Sequence, residues 1–188
     1  MAANYTALRM MTSDIYWQTK PVGAAARLRE WLLNRGSLTR RIQLRCPRFE
    51  LKVLSQRRAL IRRDEYAVIG ARAGSRCVVR EVSLNCGHEP VVFAHSVVAP
   101  CALKGAWRML SALGARPLGA ALFANPRVTR YPLRFRQLSR RDALYRRASR
   151  LLEIAPRLLW ARRSLFVLRG SPLLVTEVFL PAILALAP

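Results

Sequence analysis

Lysine is scarce in this 188-residue chain: Lys20, Lys52 and Lys104 are the three it has, so nearly all of its +23 formal charge is arginine. Acidic residues number ten and histidines two. A pI near 11.7 would fit a phosphate-binding or membrane-surface protein. No block of five or six consecutive basic residues occurs, however, and the arginines are spread along the chain among abundant Ala and Leu. That distribution reads as compositional bias at roughly two to one over a binding surface.

Other absences narrow the field further. There is no GxSxG nucleophile elbow, no GxGxxG and no GxxxxGK[ST], which excludes the usual hydrolase and nucleotide-binding loops. The four cysteines, Cys46, Cys77, Cys86 and Cys101, include no CxxC pair, and reduced thiols in a cytoplasmic protein are the expectation. Cys86, His88, His95 and Cys101 match no familiar zinc spacing. The N-terminus lacks a continuous apolar stretch of the signal-peptide kind. The apolar tail 173–188 is shorter than the roughly 20 residues that span a bilayer, and it contains Glu177 and Pro181. A soluble protein is expected.

What is present is material for a core: 52% hydrophobic residues in a length that fits one domain. Residues 1–22 read as a loosely ordered segment and 23–188 as the folded domain. Helical spacing over 24–34, a stop at Gly36 and a cap at Ser37 predict a compact helix-turn-helix ending near Gln43. Its second helix is too short to make an attractive DNA-recognition helix. Strands are predicted at 49–54, 77–84, 91–99, 127–138, 164–168 and 173–180, and 57–76 reads as irregular. Helices are predicted at 103–113, from Pro117, and over 139–155. Hairpin-length links between strands, with helices between blocks, give an α+β fold on an antiparallel sheet.

Two charges sit out of place in this pattern. In the 173–180 strand, Glu177 shares a face with Leu173, Val175 and Phe179, while the other face is also apolar. In the 77–84 strand, Arg80 shares a face with Val78, Val82 and Leu84. A buried carboxylate is costly unless paired or protonated, and a guanidinium is suited to gripping a carboxylate at two points. Periodicity leaves two readings evenly matched. One is a buried ion pair of Glu177 with Arg80, Arg162 or Arg163. The other is a closed pocket with a cation at one end and an acid at the other, suited to a small cyclic carboxylate bearing a hydroxyl.

Five stretches carry a family resemblance: WLLNRGSLTRR (31–41), VVREVSL (78–84), HSVVAPCALKG (95–105), LGARPLGAALF (113–123) and LWARRSLFVLRGSPLLVTEVFLPA (159–182). In this order they resemble the bacterial chorismate pyruvate-lyase family, whose members make 4-hydroxybenzoate for ubiquinone. The resemblance implies a sheet of about six antiparallel strands with helical flaps over an internal cavity, the flaps lying near Ser37 and Pro117. It implies that Arg80 holds the ring carboxylate and that Glu177 contacts the ring hydroxyl. Leu118 would line the pocket. Leu38, where a well-known member has Met, would contribute there chiefly through its backbone. Aromatisation of the ring drives the reaction, so no metal or redox cofactor is required. Arg162 or Arg163 is expected to face the enolpyruvyl group. The 139–155 helix is longer than the family pattern and is assigned no role.

The expectation is thus a cytoplasmic monomer acting on chorismate, with no specific nucleic acid partner and at most weak contact with a membrane surface. Two alternatives stand beside it. A non-catalytic carboxylate-binding module of the same fold would need a separate DNA-binding domain, and fewer than 25 residues precede the matched region. A basic nucleic-acid-binding protein would show steep salt dependence.

Overall fold

The computed structural model describes residues 16–187. Helix α1 (Ala26–Leu33) and helix α2 (Leu38–Gln43) lead into strand β1 (Phe49–Leu60), helix α3 (Arg63–Ile69) and the hairpin β2 (Arg76–Cys86) and β3 (Glu89–Val98). Helix α4 (Pro100–Lys104), a 3-10 turn (Arg108–Ala112) and helix α5 (Leu118–Ala124) follow. Strands β4 (Thr129–Arg130) and β5 (Arg134–Leu138), helix α6 (Ala143–Ser149), the hairpin β6 (Leu159–Leu168) and β7 (Ser171–Phe179), and a 3-10 turn (Pro181–Ala185) complete the chain.

The seven strands form one sheet in the order β1-β2-β3-β7-β6-β4, with β5 also pairing with β6, and every pairing is antiparallel. Helices cover both faces. On the back face, Val68 and Ile69 of α3 pack on Val79, Val97, Leu165 and Leu174, and Leu144 and Ala148 of α6 pack on Phe93, Ala161 and Val178. On the front face there are two separate apolar clusters. Trp31, Leu32, Leu38 and Ile42 of α1 and α2 cover Val82, Leu84, Val92 and Phe179. Trp107, Leu110 and Leu122 cover Val98, Phe166 and Leu173. The gap between those two clusters is where the site lies.

The expected strands and the α1–α2 pair are present, with several boundaries revised. Residues 57–76 are not irregular: β1 continues to Leu60 past a bulge between Val53 and Ser55, and α3 follows. This is an edge strand exposed on much of its surface, so polarity there does not argue against extended structure. The 127–138 strand is two, because Pro132 has no N–H to give and falls between β4 and β5. The 103–113 helix is interrupted at Gly105, after which Trp107 turns inward and donates its indole N–H to the Ser171 carbonyl at 2.9 Å. The 139–155 helix shrinks to α6, since the Asp142 carboxylate folds back on the Ser139 N–H at 2.8 Å and holds the preceding turn.

Of the N-terminal segment expected to be loose, residues 1–15 lie outside the described residues. Beyond them, Trp17 is buried, and Gln18 exchanges two backbone hydrogen bonds with Phe135. The expectation of four reduced thiols is also corrected: Cys46 and Cys86 form a disulfide with Cα atoms 5.7 Å apart. The β1–β2 register sets Phe49 opposite Cys86, which brings Cys46, just upstream, within reach. Cys77 and Cys101 are free.

A buried charge network fastens the back face. Glu81, His95, Thr176 and Arg163 are register neighbours across β2, β3, β7 and β6. A carboxylate oxygen faces each His95 nitrogen, Glu81 at 2.9 Å and Glu65 of α3 at 3.0 Å. Arg147 of α6 also donates to Glu81, and Arg163 reaches Asp64 of α3 at 3.0 Å while stacking over Trp17. Burial alone would raise the Glu81 carboxyl, but His95 and Arg147 outweigh it and hold the group down at about 2. A carboxyl held below its unfolded range adds stability above that range and loses it as pH falls through the folded value. Unfolding free energy should therefore drop between about pH 5 and pH 2. The Glu81 share is on the order of 2 kcal/mol, because exposure of Arg147 screens part of the pair. Urea titrations at several pH values would check this. Glu81→Gln should flatten the acid limb, and an unchanged limb would show that other carboxylates carry it.

Candidate active site

Two rows of residues cross the front of the sheet. Arg80 of β2 pairs with Ser96 of β3, which pairs with Val175 of β7, which pairs with Ser164 of β6. Two residues along, Val82, Ala94, Glu177 and Arg162 form the next row. Side chains of period two on four neighbouring strands must share one face, and all eight line a single cavity. Leu38 and Thr39 of α2 cover it on one side, and Leu118, Gly119, Leu122 and Phe123 of α5 cover it on the other. Arg130 closes the end beyond Ser164. The four residues expected to form a pocket, Arg80, Glu177, Leu118 and Leu38, therefore all meet in one place.

Arg80 and Glu177 are not paired with each other. They stand on strands two apart, so their backbones are separated by about 10 Å across the sheet. Arg80 is buried and donates through Nη2 to the carbonyls of Gly114 at 2.8 Å and Arg116 at 3.4 Å. Its Nε has no partner, and among the described residues it makes no ion pair. Burial lowers its pKa from the usual guanidinium value. A buried cation with a donor to spare is a natural seat for an anion.

Glu177 accepts from Arg162 Nε at 2.5 Å. Arg162 is fully buried, and its Nη1 donates to the carbonyls of Trp31 at 3.0 Å, Leu32 at 3.1 Å and Asn34 at 2.7 Å. It thus caps the C-terminal end of α1, which has no basic residue of its own in the last turn. One of the open pairings, Glu177 with Arg162, is therefore present. It orients the carboxylate and leaves Glu177 half-buried, facing the cavity.

Arg163 does not join the site. Strand alternation turns it to the back face, where it meets Asp64, and burial pushes its guanidinium down to about 9. Sequence reasoning also missed a resident of the cavity. In the 127–138 pattern Arg130 alternates with Thr129 and Tyr131 together with Arg134 and Arg136, which reads as a solvated strand face, yet Arg130 faces the cavity.

Residues 11–186 match the family described as chorismate lyase. A Nitrosospira multiformis protein is 53% identical over 91% of this chain and 96% of its own length, and a Nitrosomonas europaea protein is 50% identical over 89% and 94%. This chain belongs to the chorismate lyase family. Both relatives are named "probable chorismate pyruvate-lyase", as is an Aromatoleum aromaticum protein 54% identical over 86% of this chain and 88% of its own length. Among solved structures, the PhnF C-terminal domain superposes with a TM-score of 0.55 at 13% identity, covering 73% of this chain and 84% of that one. The effector domain of PhnF from Mycobacterium smegmatis gives 0.53 at 13% identity, covering 79% and 91%. At that identity the likeness is one of fold. For a chorismate lyase family member, the cavity between the sheet and the α2 and α5 flaps is the candidate active site.

Proposed function

We propose that this chain converts chorismate to 4-hydroxybenzoate and pyruvate, the first committed step toward ubiquinone. The observation that carries the reading is the cavity's polarity: an uncompensated buried cation, Arg80, at one end and an oriented carboxylate, Glu177, at the other. Chorismate carries a ring carboxylate at one pole, and a hydroxyl with its geminal hydrogen at the other. With the carboxylate on Arg80, the hydroxyl-bearing carbon lies toward Glu177. Elimination breaks the bond between the neighbouring ring carbon and the ether oxygen, whose electron pair departs with enolpyruvate. The ring hydrogen beside the hydroxyl leaves as a proton, the ring becomes aromatic, and the enol takes up a proton to become pyruvate. Glu177 is placed to orient the hydroxyl and to accept that ring proton. Leu118 and Leu38 hold the ring between the flaps and exclude water.

The test is purified protein with chorismate, following both products. Equimolar 4-hydroxybenzoate and pyruvate are expected, and no product above background would end the assignment. The reading extends to a monomer working in the cytoplasm, to be checked by sedimentation at the mass of a single 21.3 kDa chain. Among the described residues no helix is long and apolar enough to cross a membrane.

The flaps touch above the cavity. A Cβ on Gly119 of α5 would stand 3.0 Å from Ser37 Oγ at the start of α2. Gly119→Ala should speed release of 4-hydroxybenzoate several-fold by forcing the flaps apart. Overall stability should change little, because the gain in helix propensity, about 1 kcal/mol, offsets the crowding. Stopped-flow release kinetics would show it, and an unchanged release rate would mean that the flaps do not gate the product.

A further inference from the structure

We propose that Arg130 is the catalytic residue that receives the second carboxylate of the substrate, the one on the enolpyruvyl group, and stabilises the charge developing on the departing oxygen. The inference rests on chorismate being the substrate. Chorismate is a dianion, so the cavity must seat two carboxylates, while Arg80 can hold one. The enolpyruvyl ether is borne by the ring carbon next to the hydroxyl-bearing one. The second cation must therefore flank Glu177 and not lie at the Arg80 end.

Besides Arg80, the arginines that line the cavity are Arg162 and Arg130, and Arg163 adjoins Arg162 on β6. Arg162 is committed: its Nε holds Glu177 and its Nη1 holds three carbonyls of the α1 terminus. Arg163 is on the other face of the sheet. Arg130 is left, and its setting is that of a built anion seat. It pairs with Phe166 in the β4–β6 register, which puts its side chain on the cavity face beside Ser164. Its Nε donates to Ser164 Oγ at 3.1 Å, and Nη1 donates to the carbonyl of Arg35 in the turn between α1 and α2. Its guanidinium lies over the rings of Phe123 at 5.2 Å and Phe166 at 5.4 Å. Nη2 makes no hydrogen bond among the described residues. Burial, together with the nearby Arg162, holds Arg130 down to about 10, although Glu177 is close enough to oppose that shift. No carboxylate forms a salt bridge with it among the described residues. The cation is held rigidly, kept from water on its faces and aimed at the place where negative charge appears during bond breaking.

The bond to the Arg35 carbonyl admits a second role, a latch on the α1–α2 flap, and the experiment separates the two. Arg130→Gln and Arg130→Lys are compared with wild type for kcat/KM on chorismate and for Kd of 4-hydroxybenzoate, which has no second carboxylate. Arg130→Gln should lower kcat/KM by roughly 10²- to 10³-fold while the 4-hydroxybenzoate Kd moves less than about threefold. Arg130→Lys should recover part of the rate, because it restores the charge without the planar fork. Parallel losses in turnover and product affinity would overturn the proposal in favour of a latch, and so would no loss in either. If Arg130→Gln does not fold, Arg130→Lys decides alone: a chorismate KM raised about tenfold with an unchanged product Kd upholds the proposal, and equal changes overturn it. Failure of the wild-type protein to turn over chorismate would instead remove the substrate reading itself.

Discussion

Arg80→Ala should weaken 4-hydroxybenzoate and chorismate alike, by roughly 30- to several-thousand-fold, while leaving the protein folded. The range follows from removing one partner of a desolvated charge pair, about 2–5 kcal/mol. The effect is expected to be large because Arg80 is buried, its Nε has no partner and no carboxylate neutralises it among the described residues. Its desolvation is thus left for a ligand to offset. Structural ion pairs behave differently: truncating one member leaves the other buried and unpaired, and the protein loses stability. Here there is no protein counter-charge to strand. The melting temperature without ligand should stay level or rise, less a small loss from the Gly114 and Arg116 carbonyls that Nη2 now satisfies. Isothermal titration and thermal melts on the same preparation measure both quantities. Unchanged affinity with a lower melting temperature would make Arg80 a structural residue.

Glu177 is expected to report in the opposite sense. Glu177→Gln should cut kcat by about 10²- to 10⁴-fold, the usual span for a positioned general base. Product affinity should change far less, since an amide still bonds to the hydroxyl. Stability should fall as well, because Arg162 loses its carboxylate while remaining fully buried. For Glu177→Leu that loss should approach 3–5 kcal/mol, the cost of breaking a buried pair from one side. The carbonyls of Trp31, Leu32 and Asn34 still bond Arg162 and place the loss toward the low end. Single-turnover kinetics and urea denaturation separate the two contributions. Full activity in Glu177→Gln would show that the ring proton goes elsewhere, for instance directly to the enolpyruvyl methylene.

Much of this site was legible because strands have a period of two. Arg80 and Glu177 each broke an apolar alternation, and both prove to lie on the floor of the cavity. Leu38 and Leu118 came from the resemblance and not from periodicity, since leucines on short helices carry no signal of their own. Arg130 escaped for a physical reason. Alternation over 127–138 puts it on one face with Arg134 and Arg136, but the break at Pro132 shifts the register by one residue. Arg130 pairs with Phe166 on the cavity face, while Arg134 and Arg136 pair with Arg163 and Ala161 on the back face. Arg162 and Arg163 were both legible as possible partners of Glu177, but not which of them pairs: strand alternation sends Arg162 to Glu177 and Arg163 to Asp64 on the other face. The Cys46–Cys86 bond depended on the β1–β2 register, which a 40-residue separation does not reveal. The edge strand β1 was cut short because polarity on an exposed edge looks the same as polarity in a loop.

A crystal structure of the protein with 4-hydroxybenzoate tests the central claim most directly. The product should lie between the sheet and the α2 and α5 flaps, with its carboxylate on the Arg80 guanidinium and its hydroxyl within hydrogen-bond distance of Glu177. Product bound in the reverse orientation, or outside this cavity, would contradict the assignment of the two poles.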